Sequence, residues 1–207
     1  WLYMHPGHRQ RYRARPGHTA LLLVGPALLV FFSVIWWPML DRITIWSSGD
    51  DWTAYERFAY LVAVKKEFIW AGEDVFFLQP LYRYWVALFH ILFGKSVLAR
   101  QLADVWCITG AAAILTSWAM SLRMSVPNAM LVGLVYLITT LISPLRHHIG
   151  LGMPEYTAMF FLIVAGWLLH RTGDETPWKV VLAGLSAAIG YWARQDHLLV
   201  LAALVFL

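Results

Sequence analysis

The chain has 207 residues, 60% of them hydrophobic and 14% charged, with a mean hydropathy of +0.60. A soluble domain is about 45–50% apolar and about 25% charged, so a disordered chain and an ordinary cytosolic enzyme are excluded. The single cysteine, Cys107, rules out an internal disulfide and argues against a cysteine zinc site. The net charge of +4 does not make a nucleic-acid surface, because the arginines bunch and do not track a groove.

In chain order, residues 1–18 form a basic tail carrying Arg9, Arg11, Arg13 and Arg15 and no acid. Such a tail beside an apolar run is a cytoplasmic topology signal. Thr19 to Leu40 carries no charge and ends in Trp36, Trp37 and Pro38, which predicts a first spanning helix leading outward. Residues 41–97 form an outer loop. Within it, Trp52 to Glu67 places Tyr55, Phe58, Ala59 and Val62 at helical spacing, with Glu56 and Arg57 off that stripe. This predicts an amphipathic helix lying at the interface. Pro80 to Gly94 covers only about 22 Å of helix and contains Arg83 and His90, so it is expected to lie along the bilayer surface and not to cross.

That choice sets the remaining topology. Leu98 to Leu122 runs inward and Pro127 to Leu145 outward. Glu155 to His170 runs inward and Trp178 to Ala193 outward. Small residues at four-residue spacing (Ala183 with Ala187, Gly184 with Ala188) predict close helix packing in the last of these. The expected fold class is therefore all-α, a polytopic transmembrane bundle with amphipathic juxtamembrane helices in the first outer loop. Leu198 to Leu207 covers only about 15 Å, which suggests that the transmembrane domain, residues 19–207, is incomplete at its C-terminus.

Under this topology Asp50, Asp51, Arg146, Glu155 and Arg194 share the extracytoplasmic side. Adjacent carboxylates beside a membrane suit a general base acting on a hydroxyl, or a cation site; a solvated Gly49-Asp50 turn explains them equally well. Glu155 after Pro154 is either a second functional acid or a plain helix-start acid. Arg100, Arg146 and Arg194 sit at proposed helix ends, where guanidinium forks match phosphate oxygens and where snorkelling is the bland account. Arg100 also has Asp104 at i, i+4, the spacing of a local ion pair. His147 and His148 point about 100° apart on a helix, which disfavours a shared metal. Trp52 and Tyr55 are candidate accessory residues beside Asp51. There is no phosphate-binding loop, no serine-hydrolase elbow and no dinucleotide fingerprint.

The order of these short motifs resembles the GT-C superfamily of membrane glycosyltransferases, a group that includes protein O-mannosyltransferases and the lipid A aminoarabinose transferase. The resemblance rests on Asp51 to Tyr55, Gln79-Pro80-Leu81-Tyr82, Leu92 to Ser96, Ala99-Arg100, Arg146, Glu155 and Ala193-Arg194, and spans about residues 19–207. It implies a sugar carried on a polyprenyl phosphate, moved with inversion to an acceptor hydroxyl on the outer face of the plasma membrane. It implies that Asp51 is the catalytic acid position, with Asp50 beside it, and that Arg146 and Arg194 lie near the donor phosphate. Glu155 matches a second acid that in some members binds a divalent metal, Mg or Mn; no cofactor is required by the residues themselves. This chain has Asp-Asp and Gln-Pro where many relatives have Asp-Glu and Pro-Pro. A lipid-linked anion transporter or flippase, and a non-catalytic membrane subunit, are the rival readings of the same residues.

Overall fold

The computed structural model describes residues 51–71, 80–94, 97–142, 149, 152–170 and 177–195. The basic tail, the first apolar run, Asp50, Arg146, His147 and His148 lie outside them. The described residues form a sheet-free, all-α bundle of six helices. These are α1 (Asp51–Tyr60), α2 (Leu81–Phe93), α3 (Val97–Ser121), α4 (Val126–Ile142), α5 (Glu155–His170) and α6 (Pro177–Ala193). Among the described residues, α3 is long and apolar enough to cross a membrane, whereas α2, α4 and α5 are apolar but shorter.

α1 buries Tyr55, Phe58 and Ala59. The stripe continues to Val62 through a π-helical turn over Leu61–Lys65, so the predicted helix is shorter and its last turn wider than expected. Lys66 ends it in the left-handed region at φ 61°, with its backbone N–H on the Leu61 carbonyl. α2 packs along α1 and buries Tyr82, Arg83, Val86, Ala87 and His90. The Tyr55 and Tyr82 rings meet edge-on with centroids 4.9 Å apart. Gly94 closes α2 at φ 77°, a backbone conformation that glycine adopts without strain.

The four longer helices pack in the order α4, α3, α5, α6, each against the next. Backbones approach closely where side chains are small. A Cβ on Gly133 of α4 would collide with Thr116 of α3. One on Gly190 of α6 would sit 2.8 Å from Leu162 and 3.1 Å from the Ala158 carbonyl of α5. The packed face of α6 is thus Ala183, Ser186, Gly190 and Ala193, while Gly184 meets nothing within 4 Å. The small-residue pattern located the helix pair but half of it points outward. The outer faces of α4 and α6 carry exposed Leu131, Leu134, Val135, Val181 and Leu185, among others.

α3 and α5 run in one direction and α6 in the other. The start of α3, the start of α5 and the end of α6 therefore meet at one end of the bundle. The α1–α2 pair lies against that end, with α2 touching both α3 and α6.

Candidate functional site

Where these helix ends meet, charged side chains are buried that would be prohibitively costly without partners. Arg100, in the first turn of α3, is 2% exposed. Its Nε donates to Glu56 Oε1 of α1 at 2.9 Å. Its Nη1 lies 3.5 Å from Asp104 Oδ2, one turn along α3. The ion pair that the spacing offered is present, but its geometry is the looser of the two. Glu56 accepts a second bond from His90 Nε2 of α2 at 2.9 Å. An ionised carboxylate only accepts, so Nε2 carries the proton and Nδ1, buried without a partner, does not when the ring is neutral. Glu56 is the hub that ties α1, α2 and α3 together.

The backbone makes room for this arrangement. Gly152, just before α5, has φ 69°, and a Cβ there would collide with the Arg100 guanidinium. Only glycine satisfies both conditions at once. Three residues on, Glu155 opens α5 and accepts a hydrogen bond from Arg194 Nη1, the first residue after α6. The two chain segments are 39 residues apart. Tyr82 of α2 is fully buried; burial first, then the negative charge of Asp104, raise its hydroxyl pKa well above the ordinary value. Arg100 opposes this, and Glu155 adds a smaller push in the same direction as Asp104. Tyr82 and His90 lie two turns apart on α2, about 12 Å along the axis, yet both face this cluster. α2 therefore lies across the end of the bundle.

Several anticipated residues come together here. Arg100, Glu155 and Arg194 are part of one cluster with Glu56, Tyr82, His90 and Asp104. Asp51 is the first residue of α1, five residues before Glu56. Tyr55 is buried against Tyr82 and packs the helix pair instead of lining an open surface. Among the described residues no group of His, Cys, Asp and Glu is disposed to hold a metal. Sequence reasoning missed Glu56, Tyr82, His90 and Gly152 as members of the site. The available signal was on α2, where Arg83 and His90 share the stripe of Tyr82, Val86 and Ala87. A charged or polar group on an apolar stripe needs a buried partner.

No protein-family model matches the chain. No curated protein and no solved structure matches it either.

Beside the polar cluster is an apolar groove of about 590 Å³ between α2, α3 and α5. Trp85, Phe89, Phe93, Leu102, Trp106 and Phe161 line it, as do Ala99 and Ala103. Ala99 and Ala103 directly precede Arg100 and Asp104, and Phe89 directly precedes His90. The same helical turns thus turn one face to the charges and another to the groove. An amphiphile with a charged head and a hydrocarbon tail fits such a division.

The electrostatics of Glu56 predict a pH response. Burial pushes its carboxyl up, but the bond from His90 and the charge of Arg100 outweigh burial, leaving the pKa below the ordinary 4.5. The folded protein thus prefers the ionised form. The stability this contributes is present above pH 4.5 and is lost as pH falls through the lower folded value. Melting of the purified protein between pH 7 and pH 3 is expected to show an acid-side decline. Glu56→Gln melts lower at neutral pH and has a shallower decline. An unchanged slope in that variant would exclude Glu56 as its source.

Proposed function

We propose that this chain belongs to an integral-membrane glycosyltransferase of the GT-C kind, which moves a sugar from a polyprenyl phosphate to an acceptor hydroxyl on the extracytoplasmic side. The observation that carries the reading is the convergence of Arg100, Glu155 and Arg194, from three helices, on one end of the bundle. That end also receives α1 through Glu56, five residues after Asp51, and lies beside an apolar groove. In this reading the helices α3 to α6 cross the bilayer, α1 and α2 lie along its surface, and the groove takes the polyprenyl tail.

Arg194 is the more accessible cation, with its side chain 29% exposed, and sits where a phosphate could exchange for Glu155. Arg146 is assigned the same role from its sequence position. Arg100 is already engaged by two carboxylates, so its part is to position Glu56 and the α1 helix. The acceptor oxygen attacks the anomeric carbon as the bond from that carbon to the phosphate oxygen breaks. The bonding pair leaves on the polyprenyl phosphate, and the acceptor proton passes to the Asp51 carboxylate. Arg194 stabilises the charge that builds on the departing phosphate. Because that phosphate is a good leaving group, no strong acid is needed opposite the base. Glu155 is the position at which a divalent metal, Mg or Mn, would act in members that use one.

The test is reconstitution of the full-length protein in lipid vesicles with polyprenyl-phosphate-linked hexoses and pentoses and a panel of hydroxyl acceptors. The expected result is acceptor-dependent release of free polyprenyl phosphate with sugar on the acceptor. Movement of an intact lipid-linked sugar between leaflets, with no bond broken, would replace this reading with a flippase. Neither release nor movement with any donor would leave a non-catalytic subunit.

A further inference from the structure

The π-helical extension of α1 runs into a turn over residues 68–70 whose character no step of sugar transfer uses. Phe68, Ile69 and Trp70 follow one another there, with Ile69 69% and Trp70 77% exposed. Val64 is exposed before them, as are Lys65 and Lys66. Three large apolar side chains in sequence on a solvent-facing turn are unusual, and this turn is held in place. Arg83 of α2 donates to the Ala71 carbonyl, and the Tyr84 hydroxyl donates to the Phe68 carbonyl. Lys66 Nζ bonds the Ala63 carbonyl at 2.7 Å, which fixes the neighbouring backbone.

The apolar surface continues onto α2. Tyr84, which holds the turn, is followed at helical spacing by exposed Leu88 and then Leu92. Exposed apolar side chains thus occur both on the turn and on the part of α2 that holds it, with two lysines next to the turn in the chain. Aromatic and aliphatic tips flanked by lysine match the layered chemistry of a bilayer interface, acyl chains below and anionic headgroups above.

We propose that the 64–70 turn is a membrane anchor: Phe68, Ile69 and Trp70 insert among the lipids of the leaflet nearest the site, and Lys65 and Lys66 bind anionic headgroups. The anchor holds the α1–α2 pair down over the end of the bundle. It does not depend on the transfer reading and can succeed or fail separately from it.

The test places a fluorophore on Ile69→Cys, in a Cys107→Ala background of the full-length protein, with Arg57→Cys as the exposed comparison on α1. Vesicles contain phosphatidylcholine with or without phosphatidylglycerol, and either carry nitroxide-labelled lipid or are bathed in iodide. The label at 69 is expected to be quenched by the lipid nitroxide and to show an iodide quenching constant about threefold below that at 57, as an inserted interfacial group does. Phosphatidylglycerol is expected to deepen the nitroxide quenching, and Lys65→Gln with Lys66→Gln to abolish that increment. Equal iodide access at both positions would overturn the anchor. Protection from iodide without nitroxide quenching would also overturn it, in favour of a protein contact. Quenching indifferent to phosphatidylglycerol would overturn the lysine assignment. Correct folding of each labelled protein is read from its elution as a single species.

Discussion

Arg100→Met is expected to destabilise the protein by about 3–5 kcal/mol, the usual consequence of removing one partner of a buried charge pair. Glu56 loses its counter-charge, and Asp104 loses the guanidinium beside it. Asp104 is fully buried, and Glu56 keeps only its bond from His90. The penalty comes from stranded charge, so it should shrink when the charge is removed as well. Arg100→Met combined with Asp104→Asn is expected to recover part of the loss. Arg100→Lys keeps the charge but loses the fork, and should fall between wild type and Met. Unfolding in mixed micelles by a denaturing detergent gives the comparison. A loss under about 1 kcal/mol for the single variant, the size typical of an exposed pair, would show that the cluster is not a dry ion-pair network.

Asp51→Asn is expected to lower sugar transfer by about 10²–10⁴-fold, the contribution of a positioned general base, while leaving stability within about 0.5 kcal/mol. The choice of asparagine separates the two accounts of this residue. As the first residue of a helix, an acid can serve merely to satisfy backbone N–H groups, and asparagine does that about as well as aspartate. It cannot take up the acceptor proton. Loss of turnover with unchanged melting therefore identifies a base, and wild-type turnover would remove Asp51 from the chemistry. Asp51→Ala should lose both activity and some helix stability. Donor binding should survive in Asp51→Asn, because the groove and Arg194 are untouched.

The local parts of this protein were readable residue by residue. Glu155 to His170 was anticipated at its observed bounds, since an apolar run between Pro154 and a basic end is a complete helix signal. The buried stripe Tyr55, Phe58, Ala59 and Val62 followed from spacing alone. So did the Arg100 and Asp104 pair, because i, i+4 neighbours on a helix meet whatever surrounds them. Glu56 was misjudged for the converse reason. Its position beside the apolar stripe resembles that of Arg57, which is exposed, and what distinguishes the two is contact with His90 and Arg100, 34 and 44 residues further on. Gly152 carried no signal at all, since the need for glycine arises only from the guanidinium that lies against it.

By itself the sequence determined an apolar chain, the all-α class of its described residues, the approximate limits of their helices, and a second helix shorter than the four that follow it. Periodicity, composition and end signals act within a few residues, so they survive without knowledge of the fold. Only the tertiary structure decided that Glu56 is the hub of the charged cluster, that Arg194 meets Glu155, and that an apolar groove runs beside both. Those facts depend on which helix ends share a location. Burial makes charges find partners wherever the chain can bring them, and no pattern along the chain records that choice.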